Sequence, residues 1–72
     1  MYYERIENLR IDNDLTQQQV AAYLDCNREV YRRYEKGLRD IPVWALIRLA
    51  KLYDCSVDYL IGVSDVKRRF GK

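Results

Sequence analysis

Two signals for the start of a helix lie close together in the middle of this chain. Thr16 and Asn27 both carry a side-chain oxygen that can accept a hydrogen bond from the free backbone N–H groups of a first helical turn. Gln19 follows Thr16 by three residues, which is the spacing of a capping box. The sequence therefore predicts helices over residues 17–23 and 28–35 with only about three residues between them, and so short a connection is typical of a helix-turn-helix.

Apolar residues at helical spacing predict how these two helices pack together. Val20 and Ala21 share one face of the first helix, and Tyr31 and Tyr34 share one face of the second. Ala21 is small enough for the closest crossing of the two helices. Asp25 occupies the turn position at which such motifs favour glycine, and its short polar side chain lowers the cost of a left-handed backbone there.

The rest of the chain continues the same all-helical pattern. The spacing of its apolar residues predicts further helices over residues 3–13, 43–53 and 57–61, with Ser56 as the cap of the last one. Gly37 and Gly62 stand where the third and fifth helices should end. We therefore expect one helical domain over residues 1–62, followed by a short basic tail over residues 63–72 that frays unless a binding partner orders it.

Size and composition limit the function classes open to the chain. Its 72 residues suffice for one small domain. Cys26 and Cys55 fall in apolar helical patterns and the chain has no histidine, so we expect no metal and no cofactor. Two reduced thiols in the core are the simpler interpretation of the cysteines, and the count leaves a disulfide open. No apolar run approaches the roughly 18 residues that span a bilayer, and the N-terminus is not a signal peptide. The sequence therefore predicts a cytoplasmic protein without membrane contact.

Positive charge is concentrated in particular segments, although the net charge is only +2. Residues 27–39 carry a net charge of +3, and residues 67–72 carry +4. Residues 1–26 and 40–66 are both net negative. The first basic segment coincides with the second helix of the motif and the loop after it, which favours a polyanionic partner such as nucleic acid.

A series of short motifs runs through most of the chain in a fixed order. They are Ile6-Glu7-Asn8-Leu9-Arg10, Leu-Thr-Gln-Gln-Gln, Arg-Tyr-Glu-Lys-Gly, Ile41-Pro42, Leu46-Ile47-Arg48-Leu49-Ala50 and Ser56-Val57-Asp58-Tyr59-Leu60. In this order and spacing the chain resembles the DNA-binding domain of the Xre/Cro family of phage-repressor-like regulators. The resemblance implies a compact, five-helix, lambda-repressor-like DNA-binding domain whose second and third helices form the helix-turn-helix.

Base reading would then fall to the exposed N-terminal part of the third helix, which such a motif presents to the major groove. The candidate residues are Arg28, Glu29, Arg32 and Arg33. An arginine can donate two hydrogen bonds to guanine, and a glutamate can accept one from cytosine. Arg32 has phosphate as an alternative contact, and Glu29 has the alternative role of favouring the helix dipole and orienting Arg33.

Phosphate contacts would come mainly from the start of the first motif helix. The resemblance implies this role for Gln17, whose alternative is that of an ordinary polar residue in a first turn. Secondary candidates are Gln18, Asn27, Lys36 and Arg39. The resemblance also suggests that Arg10 pairs with Glu35 at the end of the third helix and keeps a guanidinium N–H near the DNA backbone. Two independent surface residues are the alternative to this pair.

These features predict sequence-specific binding of double-stranded DNA as a transcriptional regulator, most simply a repressor that occupies an operator. A domain of this size covers few base pairs, so we expect a homodimer on two half-sites about 34 Å apart, with an exposed aromatic on the fourth or fifth helix as a natural contact. The alternative is an antitoxin or anti-regulator that acts mainly on a protein partner. An enzyme is not supported, because the chain has no histidine, no carboxylate pair at catalytic spacing and no glycine-rich phosphate loop.

Overall fold

The computed structural model describes residues 2–71, and these residues form five α-helices without a β-strand. The helices are α1 (Glu4–Asp12), α2 (Gln17–Tyr23), α3 (Arg28–Glu35), α4 (Val43–Leu52) and α5 (Val57–Leu60). The all-helical fold and the bounds of α2 and α3 are confirmed. The other predicted helices are one residue too long at one or both ends, because residues such as Tyr3 and Tyr53 cap a helix instead of continuing it. No helix formed by residues 2–71 is long and apolar enough to cross a membrane.

Side chains cap the N-termini of both helices of the motif, α2 and α3. The Thr16 hydroxyl accepts from the N–H of Gln19 at 3.1 Å, and the Gln19 side chain accepts from the N–H of Thr16 at 2.8 Å. Asn27 Oδ1 accepts from the N–H of Val30 at 2.8 Å. The predicted caps are therefore confirmed, and they fix the residues at which α2 and α3 begin.

All five helices end in the same way, with a residue in the left-handed conformation. These residues are Asp14, Asp25, Gly37, Asp54 and Gly62. After each of them, the next backbone N–H donates to a carbonyl oxygen five residues earlier, as from Cys26 to Ala21 at 3.0 Å. The two glycines adopt this conformation freely, whereas the three aspartates are strained in it. The prediction of a left-handed Asp25 is confirmed by its φ of 59°.

The hydrophobic core lies where the five helices meet. Its buried members are Ile6, Leu9, Val20, Ala21, Leu24, Tyr31, Ala45, Leu46, Leu49, Ala50, Tyr53, Cys55 and Leu60. Cys55 is buried and Cys26 is half-buried, and both are free thiols. Each follows a left-handed aspartate directly, so the two cysteines lie just beyond the ends of α4 and α2 rather than within helices. A small apolar side chain is well suited to that position, where it packs back over the last turn.

The basic tail lies against the helical body. Arg5 Nη1 donates to the carbonyl oxygens of Tyr59 and Ser64, both at 2.8 Å, and the guanidinium lies 4.1 Å from the centre of the Tyr59 ring. Farther along, Phe70 packs on the core, and its N–H donates to Asp54 Oδ1 at 3.2 Å. The tail is thus attached at Ser64 and at Phe70, which its lack of apolar periodicity did not indicate. The domain boundary before it stays a prediction.

Candidate nucleic-acid interface

The outer face of α3 carries the four residues predicted to read bases. Arg28, Glu29 and Arg33 are exposed, and Arg32 is half-buried. Tyr31 and Tyr34 face the opposite way, and Tyr31 is fully buried. The amphipathic spacing of this helix therefore turns its cations outward while the tyrosines anchor it to the core.

Glu29 holds two of these arginines on the surface of α3. Its Oε1 accepts from Arg32 Nη2 at 2.6 Å and from Arg33 Nε at 3.2 Å, while its Oε2 accepts from Arg32 Nε at 3.1 Å. The hydrogen bonds from Arg32, with a further one from Arg33, lower the pKa of Glu29 to about 2. The alternative role of Glu29, orienting Arg33 across one helical turn, therefore has the geometry it needs.

A buried ion pair joins α1 to the C-terminal end of α3. Arg10 Nε donates to Glu35 Oε2 at 2.8 Å, and Arg10 Nη2 donates to Glu35 Oε1 at 3.1 Å. The Glu35 side chain is fully buried, and that of Arg10 is only 14% exposed. Arg10 Nη1 also donates to the carbonyl oxygen of Leu15 at 2.9 Å, just before α2. One guanidinium thereby fixes α1, the approach to α2 and the end of α3 relative to one another.

Gln17 reaches the same buried carboxylate from the first turn of α2. Its Nε2 donates to Glu35 Oε1 at 3.1 Å. Burial alone would raise the pKa of Glu35, but the hydrogen bonds from Arg10 and Gln17 outweigh burial and hold the pKa below its usual value. The Tyr31 hydroxyl is buried beside this carboxylate, although the two groups do not meet hydrogen-bond geometry. Burial raises the pKa of Tyr31. Glu35 uses one amide N–H of Gln17, so the second amide N–H can donate elsewhere.

Lys36 and Arg39, both expected to contact phosphate, lie at and beyond the end of α3. Lys36 Nζ donates to Glu7 Oε2 at 2.5 Å, and this bond raises the pKa of Lys36. Glu7 Oε2 also lies 4.0 Å from Arg10 Nη2, so a carboxylate of α1 links Lys36 to the buried pair. Arg39 is exposed, with its guanidinium 5.9 Å from the centre of the Tyr34 ring.

The remaining phosphate candidates lie near the turn of the motif. Gln18 is exposed on α2, and Asn27 is exposed with its Oδ1 engaged in capping α3. The structure thus gathers predicted residues into a buried cluster of Arg10, Gln17 and Glu35 and an exposed cluster of Glu29, Arg32 and Arg33. The contacts of these residues with bases and phosphates stay predictions.

Two bonds in this region have no signal in the local sequence pattern. The bond between Gln17 and Glu35 joins residues 18 positions apart, and the bond between Glu7 and Lys36 joins residues 29 positions apart. Both depend on the relative orientation of packed helices, which apolar periodicity does not specify. The one hint in the sequence is that Glu7 stands three residues before Arg10, because residues at that spacing share a helix face.

Comparison with known proteins shows the family of the chain. The model of the helix-turn-helix family matches residues 6–60. The chain is 38% identical over 65 residues to the uncharacterized HTH-type transcriptional regulator YobD of Bacillus subtilis (strain 168), which covers 90% of this chain and 58% of that protein. It is 31% identical over 65 residues to the cryptic phage CTXphi transcriptional repressor RstR of Vibrio cholerae, with 90% of this chain and 59% of RstR covered. No solved structure matches the chain.

The chain is also 30% identical over 66 residues to the HTH-type transcriptional regulator ImmR of Bacillus subtilis (strain 168), with 92% of this chain and 52% of ImmR covered. It spans little more than half the length of each of these three relatives. The segment matched by the family model runs from within α1 to the end of α5 and contains both clusters. The resemblance to Xre/Cro regulators is thereby confirmed. From its motifs, its five helices and the short connection between α2 and α3, the chain belongs to the helix-turn-helix family.

Proposed function

We propose that this chain binds double-stranded DNA sequence-specifically as the reading domain of a transcriptional regulator, most simply a repressor. The observation that carries the proposal is the exposed cationic face of α3, which a buried ion pair fixes to the neighbouring helices. Cations on a rigid helix can match base edges, whereas cations on a mobile segment bind phosphates without preference. The names of YobD as a transcriptional regulator and RstR as a repressor support the proposal and favour a binding domain over an enzyme.

Arg28 and Arg33 are the residues that we assign to base edges. Both are exposed on α3, and Arg33 binds Glu29 through Nε alone. Two N–H groups at the end of a guanidinium match O6 and N7 of guanine, and a good pair contributes roughly 1–3 kcal/mol of discrimination. We therefore expect guanine within each half-site. Arg32 is the weaker reader, because Nε and Nη2 of its guanidinium both face Glu29.

Phosphate contacts would hold α3 in the major groove. The residues assigned to them are Gln17, Gln18, Asn27, Lys36 and Arg39. Gln17 can donate to Glu35 and to a phosphate at the same time, so it links the buried cluster to the DNA backbone. Arg10 acts mainly by positioning, since its guanidinium is 14% exposed and its donors already serve Glu35 and Leu15.

A homodimer on two half-sites about 34 Å apart would give the affinity that one small domain lacks. Exposed apolar side chains on α4 support an interface there, since Val43, Trp44 and Ile47 are 70%, 48% and 38% exposed. A regulator of this kind acts where the operator is, which in a bacterial cell is the cytoplasm.

Selection of bound duplexes from a random library tests the proposal. The selection is run with the wild type, with Arg28→Ala and Arg33→Ala, and with the control Arg68→Ala, which removes an exposed cation from the tail. The wild type should select a defined sequence, each α3 variant should lose preference at a defined base pair, and the control should keep the full preference. A wild type that selects no sequence contradicts the proposal, and unchanged preference in both α3 variants would assign base reading to other residues.

The second candidate function is that of an antitoxin or anti-regulator that acts on a protein. The salt dependence of DNA affinity distinguishes it from the first. Binding to DNA weakens steeply as salt rises, with a slope of about −0.9 for each phosphate contacted. The basic face of α3 predicts such a slope for this chain. Weak binding to duplexes with no salt dependence would instead favour the protein partner.

A further inference from the structure

The carboxylate of Glu29 holds its two arginine partners in different ways. Arg32 binds side-on, because both its Nε and its Nη2 donate to the carboxylate, at 3.1 and 2.6 Å. Arg33 donates through Nε alone, at 3.2 Å, and its Nη groups make no hydrogen bond among residues 2–71. Glu29 therefore engages two of the five N–H groups of the Arg32 guanidinium and one of those of Arg33. Arg32 is held more firmly against α3, and both Nη groups of Arg33 are open.

Neither folding stability nor base reading explains this arrangement well. The side chains of Glu29, Arg32 and Arg33 are 53%, 39% and 52% exposed, and ion pairs so exposed add little to stability. The two oxygens of Glu29 already accept three hydrogen bonds, close to the limit of about four for a carboxylate. Little capacity is left for the amino group of a cytosine, so the carboxylate is better suited to holding its arginines.

We propose that Glu29 is a positioning residue that sets the DNA selectivity of α3, by presenting the open end of Arg33 to guanine and by withholding Arg32 from phosphates. This inference rests on the proposed DNA-binding function. Arg33, fixed at Nε, meets the paired acceptors of guanine with little further loss of side-chain entropy. The two hydrogen bonds hold the Arg32 guanidinium against α3 beside a carboxylate that offsets its charge, so Arg32 must leave Glu29 before it can extend as a full cation to a phosphate. This disfavours duplexes of any sequence that offer phosphates alone.

The consequence concerns the ratio of specific to non-specific binding. Non-specific affinity comes almost entirely from phosphate contacts, and each one adds about −0.9 to the salt slope. Without Glu29, Arg32 is released to contact a phosphate on any duplex, and Arg33 loses its fixed orientation. Non-specific binding should therefore strengthen more than binding to the preferred sequence, and the ratio should fall.

The experiment measures affinity across a salt series for two duplexes of equal length, one selected by the wild type and one with its sequence shuffled. The variants are Glu29→Ala, the double variant Glu29→Ala/Arg32→Met, and the control Glu4→Ala, which removes one exposed carboxylate from α1. Circular dichroism confirms that each variant is folded. In Glu29→Ala, affinity for the shuffled duplex should rise about threefold to tenfold and its salt slope should steepen by about one.

Adding Arg32→Met should return binding of the shuffled duplex to the wild-type level, because the released cation is then gone. The control should keep the wild-type ratio of affinities. If Glu29→Ala loses affinity for the selected duplex alone, together with preference at a C·G pair, Glu29 reads a base and this inference is wrong. Unchanged binding of the shuffled duplex also overturns it. A wild type that does not distinguish the two duplexes overturns the proposed function itself, so the two failures are distinguishable.

Discussion

Removing Arg10 alone should destabilise the domain more than removing Arg10 and Glu35 together. In Arg10→Met, Glu35 remains fully buried and keeps only the hydrogen bond from Gln17 out of three that reach its carboxylate. A buried charge stranded in this way costs roughly 3–5 kcal/mol. A chain of 72 residues has a total stability of roughly 4–11 kcal/mol, so this variant should lie close to unfolding.

The reverse variant, Glu35→Leu, should be milder, because Arg10 is not stranded in the same way. Its guanidinium keeps the bond to the Leu15 carbonyl, lies 4.0 Å from Glu7 and is 14% exposed, so it can turn toward water. We expect a loss of about 2 kcal/mol, mainly from leaving Gln17 without its acceptor. In Arg10→Met/Glu35→Leu no charge is stranded, and the loss should again be about 2 kcal/mol. The coupling energy between the two sites is then about 3–5 kcal/mol.

Urea titration followed by circular dichroism measures the free energy of unfolding of each variant. These variants form one double-mutant cycle, and a second double-mutant cycle with Arg69→Met and Asp54→Asn is the control. Arg69 Nε lies 3.8 Å from Asp54 Oδ2, and the two side chains are 81% and 63% exposed, respectively. Asparagine also tolerates the left-handed backbone of Asp54. The control should show coupling near zero. Coupling below about 0.5 kcal/mol between Arg10 and Glu35 would refute the argument that these two charges stabilise each other in the core.

Gly37→Ala should cost about 2–4 kcal/mol, because φ is +74° and the new Cβ would lie 2.9 Å from the Tyr2 backbone. Gly62→Ala, at φ +85° with open space around it, should cost about 1 kcal/mol, and equal losses on urea titration would exclude the contact with Tyr2. Asp25→Gly should raise the free energy of unfolding by roughly 0.5–1 kcal/mol, since glycine adopts a φ of 59° without strain; a loss on the same titration would contradict this. Because the pKa of Glu35 is lower in the folded chain, the unfolded chain binds a proton at Glu35 more readily. The contribution of the Glu35 carboxylate to stability is therefore present above the unfolded pKa of about 4.3 and declines as pH falls below that value. Urea titrations across this pH range should show a smaller decline in the free energy of unfolding for Arg10→Met/Glu35→Leu than for the wild type. An equal decline would assign the acid sensitivity to other carboxylates.

Helix starts are determined locally, which is why the sequence predicts them closely. Thr16 and Asn27 each accept a hydrogen bond from a residue three positions later, so a short stretch of sequence suffices to locate the start of α2 and of α3. The helix ends at Asp14 and Asp54 are harder to predict, because aspartate is a weak signal for a conformation that glycine adopts freely. Asp25 is predictable only because the motif around it demands a turn.

Contacts between distant helices are less accessible from sequence. Periodicity shows which face of a helix is apolar, but it does not show which residue of another helix that face meets. The resemblance to a known family suggested the pairing of Arg10 with Glu35, yet the bond from Gln17 required the packed helices to be seen. Phe70 is a single aromatic in a polar segment, and its contacts on the core are with distant residues, as in the hydrogen bond from its N–H to Asp54 Oδ1.

The buried pair and the exposed carboxylate act on opposite ends of one helix, and the two roles can be separated. A buried ion pair adds little net stability compared with apolar residues of similar shape, so the contribution of Arg10 and Glu35 lies largely in fixing the angle of α3. Arg10→Met/Glu35→Leu should therefore remain folded yet select DNA poorly, since apolar contacts are non-directional. Full base preference in this folded variant would instead mean that the packing of Tyr31 and Tyr34 alone orients the helix.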